Sequence, residues 1–138
     1  MFLTFISNKI MDKKTQDGYK QVSQKQETKR YCQYLELKNE PALIAEYVKR
    51  HSEAYAWPEV KEGIKSVGIL EMELYIIGNR LFMIVETALD FQWDEAFSKL
   101  AKLPRQEEWE EYVSIFQVSK SGASSAEKWT LMDRIFHL

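Results

Sequence analysis

Residues 69–87 read ILEMELYIIGNRLFMIVET, and this stretch is the strongest indication of the fold. Two apolar runs flank Gly78-Asn79, and such a pair of turn residues between β-forming segments is typical of a tight hairpin. We therefore predict two antiparallel strands, over residues 69–77 and 80–87. Because successive side chains of a strand point to opposite faces, the first strand has two distinct sides. One side carries Met72, Leu74 and Ile76, and the other carries Glu71, Glu73 and Tyr75.

Further elements are predicted on both sides of this hairpin, in the overall order β-αα-β-β-αα-β. Pro41 and Pro58 each suit the first turn of a helix, Asp90 suits an N-cap, and residues 118–127 form a Ser- and Gly-rich loop. The remaining predicted strands cover residues 30–37 and 129–138. The predicted helices cover residues 41–51, 58–66, 90–103 and 105–116.

This order predicts an α+β fold, a ferredoxin-like sandwich in which helices cover one face of a four-stranded antiparallel sheet. The second face of such a sheet needs cover as well. Sheets of this kind often pair face to face in a dimer, so we predict a homodimer of the dimeric α/β-barrel type.

The composition indicates a single soluble domain. The chain has 138 residues, of which 45% are hydrophobic and 29% charged, and its net charge is −2. This balance gives no reason to expect a nucleic-acid or membrane partner. Residues 1–28 are predicted to form a flexible leader because residues 12–28 are polar, and the domain is expected over residues 29–138. The single cysteine, Cys32, cannot form an internal disulfide, which favours a reducing compartment and a cytoplasmic location.

Several classes of chemistry lack a sequence signal. The chain has no CxxC or HxxxH spacing for a metal, no P-loop or GxGxxG loop for a nucleotide, and no GxSxG nucleophile elbow. We therefore predict no metal and no organic cofactor.

Tyr47 and His51 are the residues that remain as candidates for chemistry. They lie four positions apart in the first predicted helix, so both side chains project from one face. An imidazole can exchange protons near neutral pH, and a nearby phenol can orient a hydroxyl or share the proton. Spacing alone favours an alternative interpretation, in which the two residues simply pack inside the domain.

Aromatic and acidic residues add two further signals. Trp57 follows a chain break, and Trp109 lies within the acidic run 107–111; either indole could pack on the apolar face of a sugar or inside the core. The acidic run is interpreted as a solvated helix face, although it could also supply a general base or hold a cation.

Several of these residues together resemble the L-rhamnose mutarotase family. The resemblance rests on Tyr47-Val-Lys-Arg-His51, on Trp57-Pro58-Glu59, and on the hairpin with Arg80-Leu-Phe-Met-Ile-Val-Glu86, and it covers roughly residues 29–138. It implies a dimeric α+β enzyme, an isomerase that interconverts the α and β anomers of L-rhamnose or a related monosaccharide without a cofactor.

The resemblance also implies roles for individual residues. The family's histidine proton donor falls on His51 and a sugar-binding tyrosine on Tyr47. A family pair of sugar-binding tryptophans falls on Glu108-Trp109 or on Trp109-Glu110, and a second family tyrosine falls on Met72. Trp57 is included as a further sugar-binding residue.

Two other functions stay open at this point. Met72 and the single tryptophan of the pair favour a sugar-binding or scaffold protein without catalysis. A ferredoxin-like monooxygenase with a dimeric barrel shares the architecture, which does not specify a reaction.

Overall fold

A computed structural model of the chain describes residues 15–118 and 125–138, and its elements follow the order β1-α1-α2-β2-β3-α3-α4-α5-β4. The longest of the described helices has ten residues, whereas a helix that crosses a membrane needs about 20. The strands are β1 (Thr28–Glu36), β2 (Ile69–Ile77), β3 (Arg80–Ala88) and β4 (Thr130–Leu131). The helices are α1 (Pro41–Arg50), α2 (Pro58–Ser66), α3 (Trp93–Leu100), α4 (Gln106–Ser114) and α5 (Ser125–Lys128).

The four strands form one antiparallel sheet in the order β2-β3-β1-β4. The predicted hairpin joins β2 to β3, and Gly78 at its turn has φ +59°, which a glycine adopts without steric cost. Asn79 then fastens the turn to the end of β1, because its side chain donates a hydrogen bond to the Leu37 carbonyl at 3.0 Å. The prediction of a ferredoxin-like antiparallel fold is confirmed.

The two faces of the sheet differ as the alternation in β2 predicts. Met72, Leu74 and Ile76 face the helices. On the opposite face, Tyr34 of β1 packs against Phe82 of β3 with ring centroids 5.5 Å apart. The main core therefore lies between the inner face and the helices. Its buried members include Leu35, Leu81, Val113 and Phe116.

Several predicted boundaries are wrong. Helix α3 begins at Trp93, with Gln92 as its N-cap, and ends at Leu100, so Asp90 caps nothing. Phe91 explains the late start, since its ring is buried in the core and fixes the chain in a turn before the helix.

The last strand is also much shorter than predicted. β4 contains two residues, and the chain from Met132 onward has no regular structure. Asp133 and Arg134 are two charged residues in succession, and they interrupt the alternation that a strand with one buried face needs. The predicted loop 118–127 is too long, because Ser125–Lys128 form helix α5. Residues 119–124 of this loop lie outside the described part of the chain.

The predicted leader stays a prediction. Residues 1–14 lie outside the described part, and β1 begins at Thr28. Between these limits, Tyr19 packs edge-on against Tyr75 at 5.8 Å, and Gln21 donates a hydrogen bond to Glu73 at 2.9 Å.

Candidate active site

A cavity of about 680 Å³ lies between the inner face of β2 and β3 and the helices α1, α2 and α4. This volume suits a small molecule, because such sites usually measure about 300–1,000 Å³. Most of its wall is apolar. The five site residues predicted from the sequence all line this cavity: Tyr47, His51, Trp57, Met72 and Trp109.

His51 is fixed at the end of α1 by a hydrogen bond within the same turn. Its Nδ1 lies 2.8 Å from the carbonyl oxygen of Tyr47, and a carbonyl can only accept, so Nδ1 carries the hydrogen. This bond leaves Nε2 as the nitrogen that can exchange a proton with a ligand. Burial lowers the pKa of His51 below its ordinary value of 6.5, and the hydrogen bond to Tyr47 opposes this shift.

Tyr47 is almost fully buried beside His51, with the two ring centroids 4.3 Å apart. Gln117 donates a long hydrogen bond of 3.4 Å to its hydroxyl oxygen. Burial raises the pKa of Tyr47 well above 10, and the negative charge of Glu110 adds to the increase. Tyr47 therefore remains a neutral phenol at physiological pH and can donate a hydrogen bond.

Two further aromatic rings, both indoles, extend the wall beyond His51, and a tyrosine packs against them. The ring centroid of Trp109 lies 5.3 Å from that of His51 and 5.2 Å from that of Trp57, and Tyr112 lies 5.0 Å from Trp57. The guanidinium of Arg105 covers the Trp57 ring at 4.0 Å and binds Glu59 at 2.9 Å. The Trp57-Pro58-Glu59 motif thus fixes an indole next to Trp109 at the cavity.

One residue of the acidic run 107–111 does not lie on the solvated helix face that the sequence predicts. Glu107, Glu108 and Glu111 are exposed, as a solvated face requires, but the Glu110 side chain is 18% exposed and lines the cavity. It lies one position after Trp109, on the side of α4 that packs inward. A helical stripe that includes Gln106, Trp109, Glu110, Val113 and Gln117 is the signal that could have identified it.

Lys128 is a second residue that the sequence did not indicate. Its side chain is 1% exposed, and its Nζ donates to Glu110 Oε2 at 2.9 Å and to the Glu110 carbonyl at 3.1 Å. Lys128 is the last residue of the short helix α5, and its residue type gives no sign of burial in the sequence. A buried lysine that compensates a carboxylate is costly unless the pair is well hydrogen-bonded.

Two buried amide oxygens complete the site. Gln106 donates from Nε2 to Glu110 Oε1 at 3.2 Å, and since a carboxylate oxygen accepts, the amide oxygen of Gln106 points elsewhere. Within the described residues, Gln106 Oε1 and Gln117 Oε1 are the buried side-chain polar atoms that lack a hydrogen-bond partner. Both residues line the cavity, so they can accept hydrogen bonds from a hydroxylated ligand.

The site contains no metal-binding cluster within the described part of the chain. Over residues 15–118 and 125–138, no three His, Cys, Asp or Glu side chains converge in a way that could hold a metal ion.

Comparison with known proteins identifies the family. The profile of the L-rhamnose mutarotase family matches residues 30–138. The chain belongs to this family. It is 35% identical over 109 residues to an L-fucose mutarotase of Xanthomonas campestris pv. campestris, an alignment that covers 79% of this chain and 87% of the relative. These matches confirm the prediction of a sugar mutarotase, an isomerase, over the non-catalytic alternative.

Solved structures agree with this mutarotase family in fold. The L-rhamnose mutarotase of Formosa agariphila superimposes with a TM-score of 0.61 at 18% identity, over 80% of this chain and 98% of that one. The tetracenomycin F2 cyclase of Streptomyces glaucescens superimposes with a TM-score of 0.53 at 12% identity, over the same shares. Since a mutarotase and a polyketide cyclase share the architecture, the reaction has to be argued from the site.

Proposed function

We propose that the protein interconverts the α and β anomers of a 6-deoxyhexose, L-fucose or L-rhamnose. The observation that carries this proposal is the imidazole of His51, fixed in its tautomer, on the wall of a cavity of the size of a small-molecule site. The names of the family and of the 35%-identical relative support these two sugars as substrates.

The reaction opens the pyranose ring and closes it on the other face of C1. Opening needs an acid that protonates the ring oxygen and a base that takes the proton from the C1 hydroxyl. We assign the acid to Nε2 of His51, with Tyr47 as a hydrogen-bond donor that orients the sugar. A positioned acid or base contributes about 10²- to 10⁴-fold in rate. That is enough for a reaction that already proceeds in water.

Aromatic and apolar groups supply the rest of the proposed sugar site. Trp109 and Trp57 offer flat surfaces for the C–H face of the pyranose. Met72 has no polar group and lines the cavity beside Leu74, and we assign it to the C6 methyl group that distinguishes a 6-deoxyhexose.

Saturation-transfer NMR with a panel of monosaccharides tests the proposed function. We expect exchange between the anomeric signals of L-fucose or L-rhamnose above the buffer rate, and much slower exchange for D-glucose, whose C6 hydroxyl would meet Met72. Contact with a sugar but no exchange would identify a sugar-binding relic. An absence of both contact and exchange would identify a scaffold, and either outcome contradicts the proposal.

The pH dependence gives a first prediction. Burial lowers the pKa of His51 below 6.5, so the imidazolium needed for an acid is present below that lowered pKa and is lost as the pH rises through it. We expect kcat/KM to fall as pH rises through the His51 midpoint. The other charged groups that line the cavity are Lys61, Lys65, Glu71 and Glu110.

The measurement combines exchange rates with an NMR titration of the imidazole signals. The signal of His51 is assigned by its absence from the spectrum of a His51→Gln variant. A rate that instead increases with pH through the same midpoint would show that His51 first acts as a base.

We propose further that two copies pair through the sheet face that the helices leave uncovered. Tyr34, Phe82 and Ile84 lie on that face. Beside it, the chain after β4 exposes apolar side chains: Ile135 is 95% exposed and Phe136 is 77% exposed. A second copy of the chain would bury both surfaces. We expect light scattering to give the mass of a dimer, and the Ile135→Asp/Phe136→Asp variant to give a monomer. A monomeric wild-type protein contradicts the proposal.

We place the enzyme in the cytoplasm. The free thiol of Cys32, which is partly exposed and beside the Met132 sulfur at 3.7 Å, supports a reducing compartment. Cell fractionation tests this location, and recovery of the protein outside the cytoplasm contradicts it.

A further inference from the structure

A carboxylate lies in the cavity wall where the resemblance to the family suggested a second tryptophan. Of the two possible pairs, Trp109 and Glu110 both line the cavity, whereas the Glu108 side chain is 65% exposed at the surface. An indole at this position could pack against the sugar and donate a hydrogen bond from its N–H, but it could not act as a base. A carboxylate can also take a proton.

The contacts of Glu110 leave its carboxylate able to take a proton. Oε1 accepts from Gln106 and Oε2 accepts from Lys128, and since each carboxylate oxygen has two lone pairs, each keeps one for a ligand. Lys128 is almost completely buried and compensates the negative charge. Such a carboxylate is held in one orientation, which is the condition for efficient proton transfer.

Glu71 is the other acidic residue on the cavity wall, and it suits the role less well. It lies beside a bulge in the edge strand β2, and alternation places it with Glu73 on the outer side of the sheet. Glu110 is instead on α4 next to Trp109, whose ring contacts that of His51. Its charge also acts on the Tyr47 phenol, which itself contacts His51.

We infer that Glu110 is the base that complements His51, an inference that rests on the mutarotation proposed above. In ring opening, Glu110 takes the proton of the C1 hydroxyl, and O1 becomes the carbonyl oxygen. The C1–O5 bond breaks, its electron pair passes to O5, and O5 takes the proton of His51 Nε2. After rotation about C1–C2, O5 returns its proton to His51 and attacks the other face of C1, while the carbonyl oxygen takes the proton from Glu110.

Gln106 and Lys128 act through Glu110 as positioning residues. The unpartnered Oε1 of Gln106 lies on the same wall, and it can accept a hydrogen bond from a sugar hydroxyl next to the one that Glu110 deprotonates. The pair of acid and base carries one transferable proton, and each turnover restores it.

Substitution of Glu110 tests the inference. Glu110→Gln keeps the size of the side chain but not its basicity, and we expect anomer exchange to slow by about 10²- to 10⁴-fold while saturation-transfer contact with the sugar persists. The matched control is Glu111→Gln, an exposed neighbour on the same helix, which should exchange at the wild-type rate. If the wild type and Glu110→Gln exchange equally fast, the inference fails while the proposed function stands. If the wild type does not exchange any sugar, the proposed function fails.

Two further variants separate catalysis from a structural role of the pair with Lys128. Glu110→Asp keeps the charge that Lys128 needs but withdraws the carboxylate by one methylene, and a 1 Å displacement of a catalytic group can cost about 10²-fold. Glu110→Ala should regain exchange when formate is added at constant ionic strength, after subtraction of the exchange that formate alone produces. A fully active Glu110→Asp variant, or no effect of formate on a folded Glu110→Ala variant, would overturn the inference.

Discussion

Replacing His51 with glutamine should reduce the catalysed anomer exchange by about 10²- to 10⁴-fold, because a positioned acid contributes that much to the rate. Glutamine can still donate a hydrogen bond, but it cannot lose and regain a proton at neutral pH. The His51 side chain is partly exposed, and its Nδ1 bonds to a backbone carbonyl of the same helix turn. The substitution should therefore leave the fold intact. Polarimetry on freshly dissolved α-L-fucose measures the rate.

His137 provides the matched control for this variant. It is the second of the two histidines and is exposed in the segment after β4. His137→Gln should therefore retain the wild-type rate. An exchange rate that is unchanged in His51→Gln would remove His51 from the mechanism, and with it the assignment of the acid.

Replacing Lys128 with methionine should destabilise the domain by about 3 kcal/mol, at the lower end of the cost of breaking a buried ion pair. Methionine fills a similar volume but leaves the Glu110 carboxylate, itself 18% exposed, without the ammonium that donates to it. The lost bond to the Glu110 carbonyl adds to the effect. Guanidinium unfolding measures the change in the free energy of unfolding.

A double variant and a surface control make this prediction specific. Lys128→Met combined with Glu110→Leu removes both charges, and it should recover most of the lost stability because an apolar pair of similar volume is often as stable as a buried ion pair. Lys102→Met at an exposed position should change stability by no more than about 0.5 kcal/mol. A loss below about 1 kcal/mol in Lys128→Met would mean that the pair is much less buried than the contacts indicate.

The fold was largely predictable because its main elements are encoded locally. The Gly78-Asn79 turn and the alternation in β2 define a hairpin without any distant contact, and Pro41 and Pro58 mark the first residues of two helices. The start of α3 was missed because burial of Phe91, a tertiary contact, overrides the capping preference of Asp90.

The site was only partly predictable for the same reason. Tyr47 and His51 meet because they are one turn apart, and α1 places both on the cavity wall. The burial of Glu110 depends on Lys128, the last residue of α5, which lies 18 residues further along the sequence. Its residue type does not distinguish Glu110 from its exposed neighbours, and only its position on the inward stripe of α4 does.

The fold of this chain does not specify its reaction, whereas the groups around the cavity do support one. The fold is shared with a polyketide cyclase, so the sheet and its helices specify no reaction. What supports mutarotation is the set of groups around the cavity, which combines an imidazole, a phenol and aromatic rings with unpartnered amide oxygens. Such a set suits a ligand that has both hydroxyl groups and an apolar face.

A crystal structure with bound L-fucose is the decisive test of the proposed mechanism, because the roles of His51 and Trp109 depend on geometry. We expect a pyranose in the cavity, with its ring oxygen about 3 Å from Nε2 of His51, the distance that proton transfer requires, and with its apolar face against Trp109. A sugar bound elsewhere on the protein, or a His51 ring closed off from the bound sugar, would contradict it.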